Sequence, residues 1–207
     1  MMQPADQKRV FQLFAGHPAL DLVNTLDWRF RDEGPEELLA SYDDLIHFAA
    51  QSGIVDTKEI RRLQREPATG RMSRVLSAVR ELREAAAEFI YARLDGHKAA
   101  ATSVAKLEAI FKAAHARQTL VSDEEGLRWE FGEPAPELPL WRLALSTEEV
   151  LTSQRIQALR ACASPDCRWL FLDTSKNHSR RWCEMSICGN RMKARRFKQH
   201  QRAAVKG

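Results

Sequence analysis

Apolar residues recur at helical spacing through most of this chain. The clearest run lies at 72–94, where one apolar stripe is matched by arginines and glutamates on the opposite side, which is the pattern of an amphipathic helix. The stripe consists of Val75, Val79, Leu82, Ala86 and Phe89. Comparable spacing predicts further helices at 18–28, 36–51, 57–65, 98–115 and 141–153. The first three quarters of the chain are therefore expected to be mainly helical.

Strict alternation of apolar and polar residues occurs at only a few places. Phe11 and Leu13 alternate ahead of Gly16, which predicts a short strand that ends in a turn. QTLVSDEEGLRWEF alternates on both sides of a DEEG turn, as a β-hairpin does. The Pro-rich stretch at 133–139 is a natural connector into the 141–153 helix. We therefore predict a mainly α N-terminal domain with a small β-sheet (α+β) at 1–153, and a separate small module at 154–207.

Composition narrows the class of protein. The 207 residues are 44% hydrophobic and 29% charged, as in ordinary globular proteins. No apolar run has the length of a signal peptide or a membrane span, so the expectation is a cytoplasmic protein without membrane contact. All four cysteines lie within 162–188, and this clustering favours a local metal site over structural disulfides.

The net charge of +4 is an average over two unlike parts. Residues 160–207 contain twelve lysines and arginines against three carboxylates, a net charge of +9, and residues 1–159 carry −5. Such asymmetry predicts a polyanion, nucleic acid above all, as the partner of the C-terminal module. Basic termini also occur on proteins with no nucleic-acid role, so charge alone does not decide the partner.

The cysteines form two pairs, Cys162/Cys167 and Cys183/Cys188, with four residues inside each pair and fifteen between the pairs. This layout is typical of a four-cysteine zinc site in which each pair forms one knuckle. A redox pair normally has two intervening residues, and nothing in the sequence suggests the electron transfer of an iron–sulfur cluster. Spacing thus predicts one structural Zn²⁺ ion, with free buried cysteines as the alternative.

The residues around the cysteines predict a β-hairpin followed by a helix. Residues 169–173 should form one strand and residues 180–182 the returning strand, and Ser186 should cap the final helix. A basic helix held by zinc is suited to phosphates and to the major groove of DNA. The residues predicted to contact nucleic acid are Arg180, Arg181, Arg191, Lys193, Arg195, Arg196, Lys198 and Arg202.

Four of these residues, at 191, 195, 198 and 202, lie at intervals of four, three and four and therefore share one helix face. The alternatives are a merely solvated face, or a surface for RNA or for a protein. A single small module usually gains DNA specificity by dimerising, so a homodimer is also expected.

A different cluster near the N-terminus is a candidate ligand site. His17, Asp21 and Asn24 lie at helical spacing at the start of the first helix, and a histidine with an aspartate could do acid–base chemistry. Such residues are, however, common helix caps and turn formers. No nucleophile accompanies them, and we expect a protein that is not an enzyme.

The motif CGNR at 188–191, preceded by RRWC and LFLDTS, resembles the CGNR zinc-finger family. Members of that family pair this finger with an N-terminal ABATE domain, and GHPALDLVNT at 16–25 is similar to the opening of that domain. The resemblance implies a stress-induced bacterial transcription regulator whose finger binds DNA and whose N-terminal domain senses a small-molecule effector. It also implies that the four cysteines bind zinc and that Asn190 and Arg191 either support the finger or contact DNA.

Overall fold

The computed structural model describes residues 9–65, 70–132 and 135–204, with side chains described as far as residue 201. Helix α4, Gly70–Leu94, packs against four other helices, as its long apolar stripe predicts. The remaining helices are α1 (Pro18–Asn24), α2 (Tyr42–Gln51), α3 (Thr57–Leu63), α5 (Ala101–His115), α6 (Leu138–Thr152) and α7 (Asn190–Ala204). No helix of the described ranges is long and apolar enough to cross a membrane.

Strands in the described residues form three separate two-stranded antiparallel sheets. They are β1 (Leu26–Asp27) with β2 (Glu36–Glu37), β3 (Gln118–Asp123) with β4 (Gly126–Phe131), and β5 (Leu159–Ala161) with β6 (Leu170–Leu172). A short 3₁₀ helix, Gln154–Ala158, joins α6 to β5, and a π turn, Met185–Gly189, precedes α7. The predicted fold class, mostly helical with small sheets and a C-terminal four-cysteine module, is confirmed.

Helix starts differ from the predicted ones where a capping residue decides them. The helix predicted at 36–51 begins only at Tyr42, because Ser41 and Asp44 form a reciprocal capping box. Glu37 instead lies in β2, where its carboxylate accepts two hydrogen bonds from the guanidinium of buried Arg83, at 2.7 and 2.6 Å. For α3 the predicted start at residue 57 holds, with Asp56 as its cap. Local hydrogen bonds therefore set these boundaries more finely than apolar spacing does.

Two predicted strands are wrong. Residues 11–15 form no strand, although the Leu172 amide donates to the Ala15 carbonyl at 2.8 Å. Residues 180–182 form no strand, because the Arg181 carbonyl accepts from the Ala163 amide at 2.8 Å, beyond the end of β5, and β6 pairs with β5 instead. The hairpin of the C-terminal module is therefore β5–β6, which begins before the first cysteine.

Strand β6 contributes to two hydrophobic clusters at once. Leu170 and Leu172 belong to the main core formed with α1, α4 and α6. Phe171 points to the opposite face and packs in a second cluster with Trp169 and the four cysteines. All three β6 residues are buried, as expected for a strand covered on both faces. The C-terminal module therefore shares a structural element with the core of the N-terminal domain.

Candidate metal centre and nucleic-acid interface

The four cysteine sulfurs converge at one buried point. Cys162 follows β5, Cys167 precedes β6, Cys183 lies in the following loop and Cys188 lies in the π turn before α7. All four Sγ atoms lie within 4.8 Å of one another; Cys183 Sγ is 3.8 Å from that of Cys167 and 3.5 Å from that of Cys188. A tetrahedron with Zn–S bonds of about 2.3 Å has edges of about 3.8 Å. The site therefore has the dimensions of one four-coordinate zinc ion.

The chemistry of the sulfur atoms also calls for a cation. Hydrogen bonding with Cys162 together with burial raises the pKa of the Cys167 thiol, and burial raises the pKa of Cys188, so the four groups do not ionise together unaided. A divalent cation supplies the missing charge and binds all four as thiolates. Hydrogen bonds from Cys167 and Cys183, together with the backbone N–H groups of Cys183 and Ser164, lower the pKa of the Cys162 thiol and so favour its thiolate. Four cysteine ligands leave no open position, so the zinc is structural.

Local sequence shapes the two turns that carry the ligands. In the first, the Ser164 carbonyl accepts from the amides of Cys167 and Arg168, both at 3.1 Å, and Arg168 has a positive φ of 51°. In the second, Glu184 caps the turn by accepting from the Ser186 amide, so the predicted cap at Ser186 is displaced by two residues. A Cβ on Gly189 would clash with the Met185 side chain and lie 3.2 Å from the Trp182 ring, so a larger residue here would have to displace Met185.

Arg180 supports the metal centre from the side. Its guanidinium donates to the Phe14 and Cys183 carbonyls, and its Nε donates to the Trp182 carbonyl at 3.0 Å. The same group lies 4.3 Å from the centre of the Phe171 ring. Its donors are thus directed at internal carbonyls, and contact of Arg180 with nucleic acid stays a prediction. Arg181 next to it is exposed.

Helix α7 leaves the zinc module and runs into solvent. From Lys193 to Gln201 every described side chain is exposed, including Phe197 at 64%. Lys193, Arg196 and Lys198 make no ion pair within the described part of the chain, whereas Arg195 lies 3.8 Å from Asp166. The side chain of Arg202 lies outside the described residues. Most of the predicted basic surface is therefore available to a partner.

The start of α7 is fixed to the N-terminal domain. The Arg191 guanidinium lies over the Trp28 ring, 4.6 Å from its centre, an attractive cation–π geometry. The side-chain amide of Asn190 donates from Nδ2 to the Ser186 carbonyl at 3.2 Å and closes the π turn. For both residues DNA contact stays a prediction, and the structure assigns each an intramolecular partner. Sequence spacing gave no signal for Trp28, because it lies 163 positions before Arg191 in the chain.

His17, Asp21 and Asn24 each have an internal partner. His17 caps α1, with Nδ1 accepting from the Ala19 amide, and its Nε2 lies 2.8 Å from a carboxylate oxygen of Glu149. Asp21 accepts from the Ala15 amide at 3.0 Å. Asn24 forms two hydrogen bonds with the backbone N–H and C=O of one residue in β6, at 2.8 and 3.0 Å. These contacts hold backbone segments together, and ligand binding by the three residues stays a prediction.

Comparison with known families matches both parts of the chain. Residues 158–201 match the CGNR zinc finger, and residues 16–154, more than half of the chain, match ABATE, described as "Putative stress-induced transcription regulator". The chain belongs to the ABATE family. The resemblance inferred from GHPALDLVNT and CGNR is thereby confirmed. No curated protein matches the sequence.

In this ABATE protein the motif GHPALDLVNT at 16–25 holds the finger in place through Asn24. We define the domain interface as the contacts between residues 9–152 and residues 159–191. Besides the bonds of Asn24, Asp27 accepts from the Trp169 indole at 2.8 Å, and the Tyr91 hydroxyl donates to the Arg168 carbonyl at 3.0 Å. Sequence patterns did not single out Asp27 or Tyr91, because their partners lie far away in the chain. The finger and the ABATE domain are therefore joined by specific polar contacts.

The buried Asp21 carboxyl predicts a dependence of stability on pH. Burial raises its pKa from 3.8 to about 7, so the folded protein holds a proton that the unfolded chain releases. The contribution of Asp21 to the free energy of unfolding is fully present below pH 3.8, and it is lost as the pH rises from there through 7. Between pH 6 and pH 8 the free energy of unfolding should fall by about 1.4 kcal/mol through this group, as measured by urea denaturation.

Asp21→Asn keeps the acceptor for Ala15 and removes the titration. The variant should therefore lack this part of the decline, and the difference between the two pH profiles isolates Asp21 from groups such as His17 that both proteins share. Parallel profiles for the variant and the natural protein would show that Asp21 is already ionised at pH 6.

Proposed function

We propose that this protein is a transcription regulator that binds duplex DNA through α7. One observation carries the proposal: a basic helix is anchored at its start by a four-cysteine zinc site and is otherwise exposed to solvent. The chain belongs to a family described as "Putative stress-induced transcription regulator", and this supports the proposed function.

The dimensions of α7 suit a DNA groove. Its 15 residues give a helix about 22 Å long at 1.5 Å per residue, and the major groove of B-DNA, about 12 Å wide, admits such a helix. Lys193, Arg196 and Lys198 would neutralise phosphates, and exposed Phe197 offers an apolar contact of the kind that thymine methyl groups accept. The helix therefore carries groups for both the backbone and the base edges.

Zinc contributes by fixing the direction of the helix. Cys188 lies in the turn directly before α7, and Arg191 contacts Trp28 one turn further on. These two attachments hold the first turn, so the exposed part points away from the domain interface in one orientation. A helix ordered before binding avoids part of the entropy cost of association.

For the N-terminal domain we propose effector binding without catalysis. A groove of about 410 Å³ lies between α5 and α6 and is lined mainly by apolar side chains: Phe89, Val104, Leu107, Phe111 and Leu151. Its polar rim is charge-balanced, with Lys112 paired to Glu108 and His115 to Glu148. An uncharged apolar compound therefore fits it best. Next to Glu148 on α6, Glu149 bonds His17, the cap of α1, and α1 carries Asn24 of the domain interface.

The DNA proposal predicts a strong salt dependence that resides in α7. Replacing Lys193, Arg196 and Lys198 together by alanine should weaken duplex binding roughly ten- to hundredfold and reduce the slope of log K against log salt by roughly 2 to 3, since each lost phosphate contact contributes about 0.9. Fluorescence anisotropy with labelled duplex, titrated at several salt concentrations, measures both quantities.

A matched control removes the same charge elsewhere. Arg93, Lys98 and Lys106 are exposed on the N-terminal domain, and their joint replacement by alanine should leave the salt slope unchanged. Competition with single-stranded DNA and RNA tests the choice of duplex DNA. Equal loss of affinity in both triple variants, or stronger binding of RNA than of duplex, would overturn the proposal.

A further inference from the structure

The β3–β4 hairpin projects from the N-terminal domain as an uncovered two-stranded ribbon. Most of its residues are exposed, among them Leu120 at 48%, Leu127 at 70% and Trp129 at 62%. The register places these three on one face, because Leu120 pairs with Trp129 and Leu127 is two residues away on β4. Isolated two-stranded ribbons are marginally stable, and an open apolar ribbon is a template for another strand.

The outer edge of β4 is open. In the described structure β4 pairs with β3 alone. A two-residue loop, residues 124–125, joins Asp123 to Gly126, and such loops close on a hydrogen-bonded pair. Hydrogen-bonded and non-hydrogen-bonded pairs alternate from there, so the N–H and C=O groups of Leu127 and Trp129 point away from β3. These are the groups that a further strand would bind.

The sequence of β4 is complementary to itself in antiparallel orientation. It ends LRWEF, with Arg128 and Glu130 placed symmetrically about Trp129. If two copies pair about a two-fold axis at Trp129, each Arg128 lies opposite a Glu130 and each Leu127 opposite a Phe131. The backbone N–H and C=O groups of residues 127, 129 and 131 that point away from β3 then face those of the second copy. The backbone hydrogen bonds and the side-chain charge pairs are therefore formed in the same register.

A hollow at the end of β4 fits the partner's loop in this register. It has a volume of about 400 Å³ and lies beside the end of β4, with Phe131, Gly132 and, from α3, Lys58 in its wall. The three acidic residues of its wall already have partners within the chain, since Asp56 caps α3, Glu59 binds Arg142 and Glu130 binds Arg128. In the proposed pairing the second copy's acidic loop, Asp-Glu-Glu at 123–125, ends beside this hollow. Its charge is opposite to that of Lys58.

We propose that two copies of this chain dimerise by pairing their β4 edges into one four-stranded antiparallel sheet. The interface is isologous, as in most homodimers, and it leaves α7 of each copy free. The proposal is independent of DNA binding, because the pairing uses residues of the hairpin and of α3 only.

Charge exchange tests this register directly. Arg128→Glu places a glutamate opposite Glu130 at two symmetric positions, and Glu130→Arg places an arginine opposite Arg128. Each single variant should therefore raise the dissociation constant of the dimer roughly tenfold or more. The double variant Arg128→Glu with Glu130→Arg restores opposite charges and should dimerise like the natural protein. Sedimentation equilibrium of the zinc-loaded full chain, without DNA, measures the dissociation constant.

Lys106→Glu, an equal charge change on exposed α5, is the matched control and should leave dimerisation unchanged. Because Arg128 and Glu130 are exposed in the hairpin, the variants should fold, and circular dichroism checks this. A natural protein that is monomeric at 100 µM would overturn the proposal. So would single variants that dimerise normally, or a double variant that stays monomeric.

Discussion

Replacing Cys183 by serine should remove the zinc ion and the order of the C-terminal module together. The natural protein should contain about one zinc per chain by elemental analysis, and the variant close to none, because a serine hydroxyl does not replace a thiolate among four ligands. Structural zinc sites contribute on the order of 10 kcal/mol to the folding of small modules. Without the metal, the hydrophobic packing of the two cysteine turns is limited to the small cluster around Trp169 and Phe171.

Hydrogen exchange locates the damage. Amides in α7 and in the two cysteine turns should lose protection, whereas those of α4 and α5 should keep it, because these helices pack in the main core. Ser179→Ala, a substitution of an exposed residue in the same module, serves as the control and should retain the zinc. A Cys183→Ser protein with a full equivalent of zinc, or with a protected α7, would contradict the four-cysteine assignment.

Asn24→Ala should be the most damaging substitution outside the metal site. Its side chain satisfies both the N–H and the C=O of Leu170, and both groups are buried at the domain interface. Leaving each without a partner costs about 1 to 3 kcal/mol, so the free energy of unfolding should drop by about 2 to 6 kcal/mol in urea denaturation. Zinc content should stay at one per chain, which separates this effect from loss of the metal.

A second asparagine provides the comparison. Asn177 is exposed in the loop that follows β6, and Asn177→Ala should change stability by no more than about 0.5 kcal/mol. If Asn24→Ala and Asn177→Ala were equally mild, water would be satisfying Leu170, and the domain interface would depend on its apolar contacts instead.

Much of the fold was predictable because the signals are local. The stripe of α4 and the alternation around the β3–β4 turn depend on neighbouring residues, and both elements appear where the sequence predicted them. Cysteine spacing predicted the metal site for a similar reason, since two short turns bring four sulfurs together whatever the rest of the chain does. In each case the information lies within about 25 residues.

The errors have a common origin in distant partners. The wrong assignment of residues 180–182 as a strand came from treating the finger as a closed hairpin between its cysteine pairs, whereas β6 pairs with β5. Arg191 was grouped with the other cations of α7, and its position over Trp28 depends on how the finger docks. Asn24 and Leu170 lie 146 residues apart, and no periodicity links them.

Strand β6 also affects whether the ABATE domain and the zinc finger can be expressed as separate fragments. The boundary between the matches falls at 154–158, yet Leu170 and Leu172 beyond it fill the core of the ABATE domain. An excised finger would expose these two leucines, and an excised ABATE domain would contain a cavity in their place. Expressed alone, each fragment should aggregate or melt at a lower temperature than the full chain. The sequence contains two family modules, and in the structure they share one hydrophobic core.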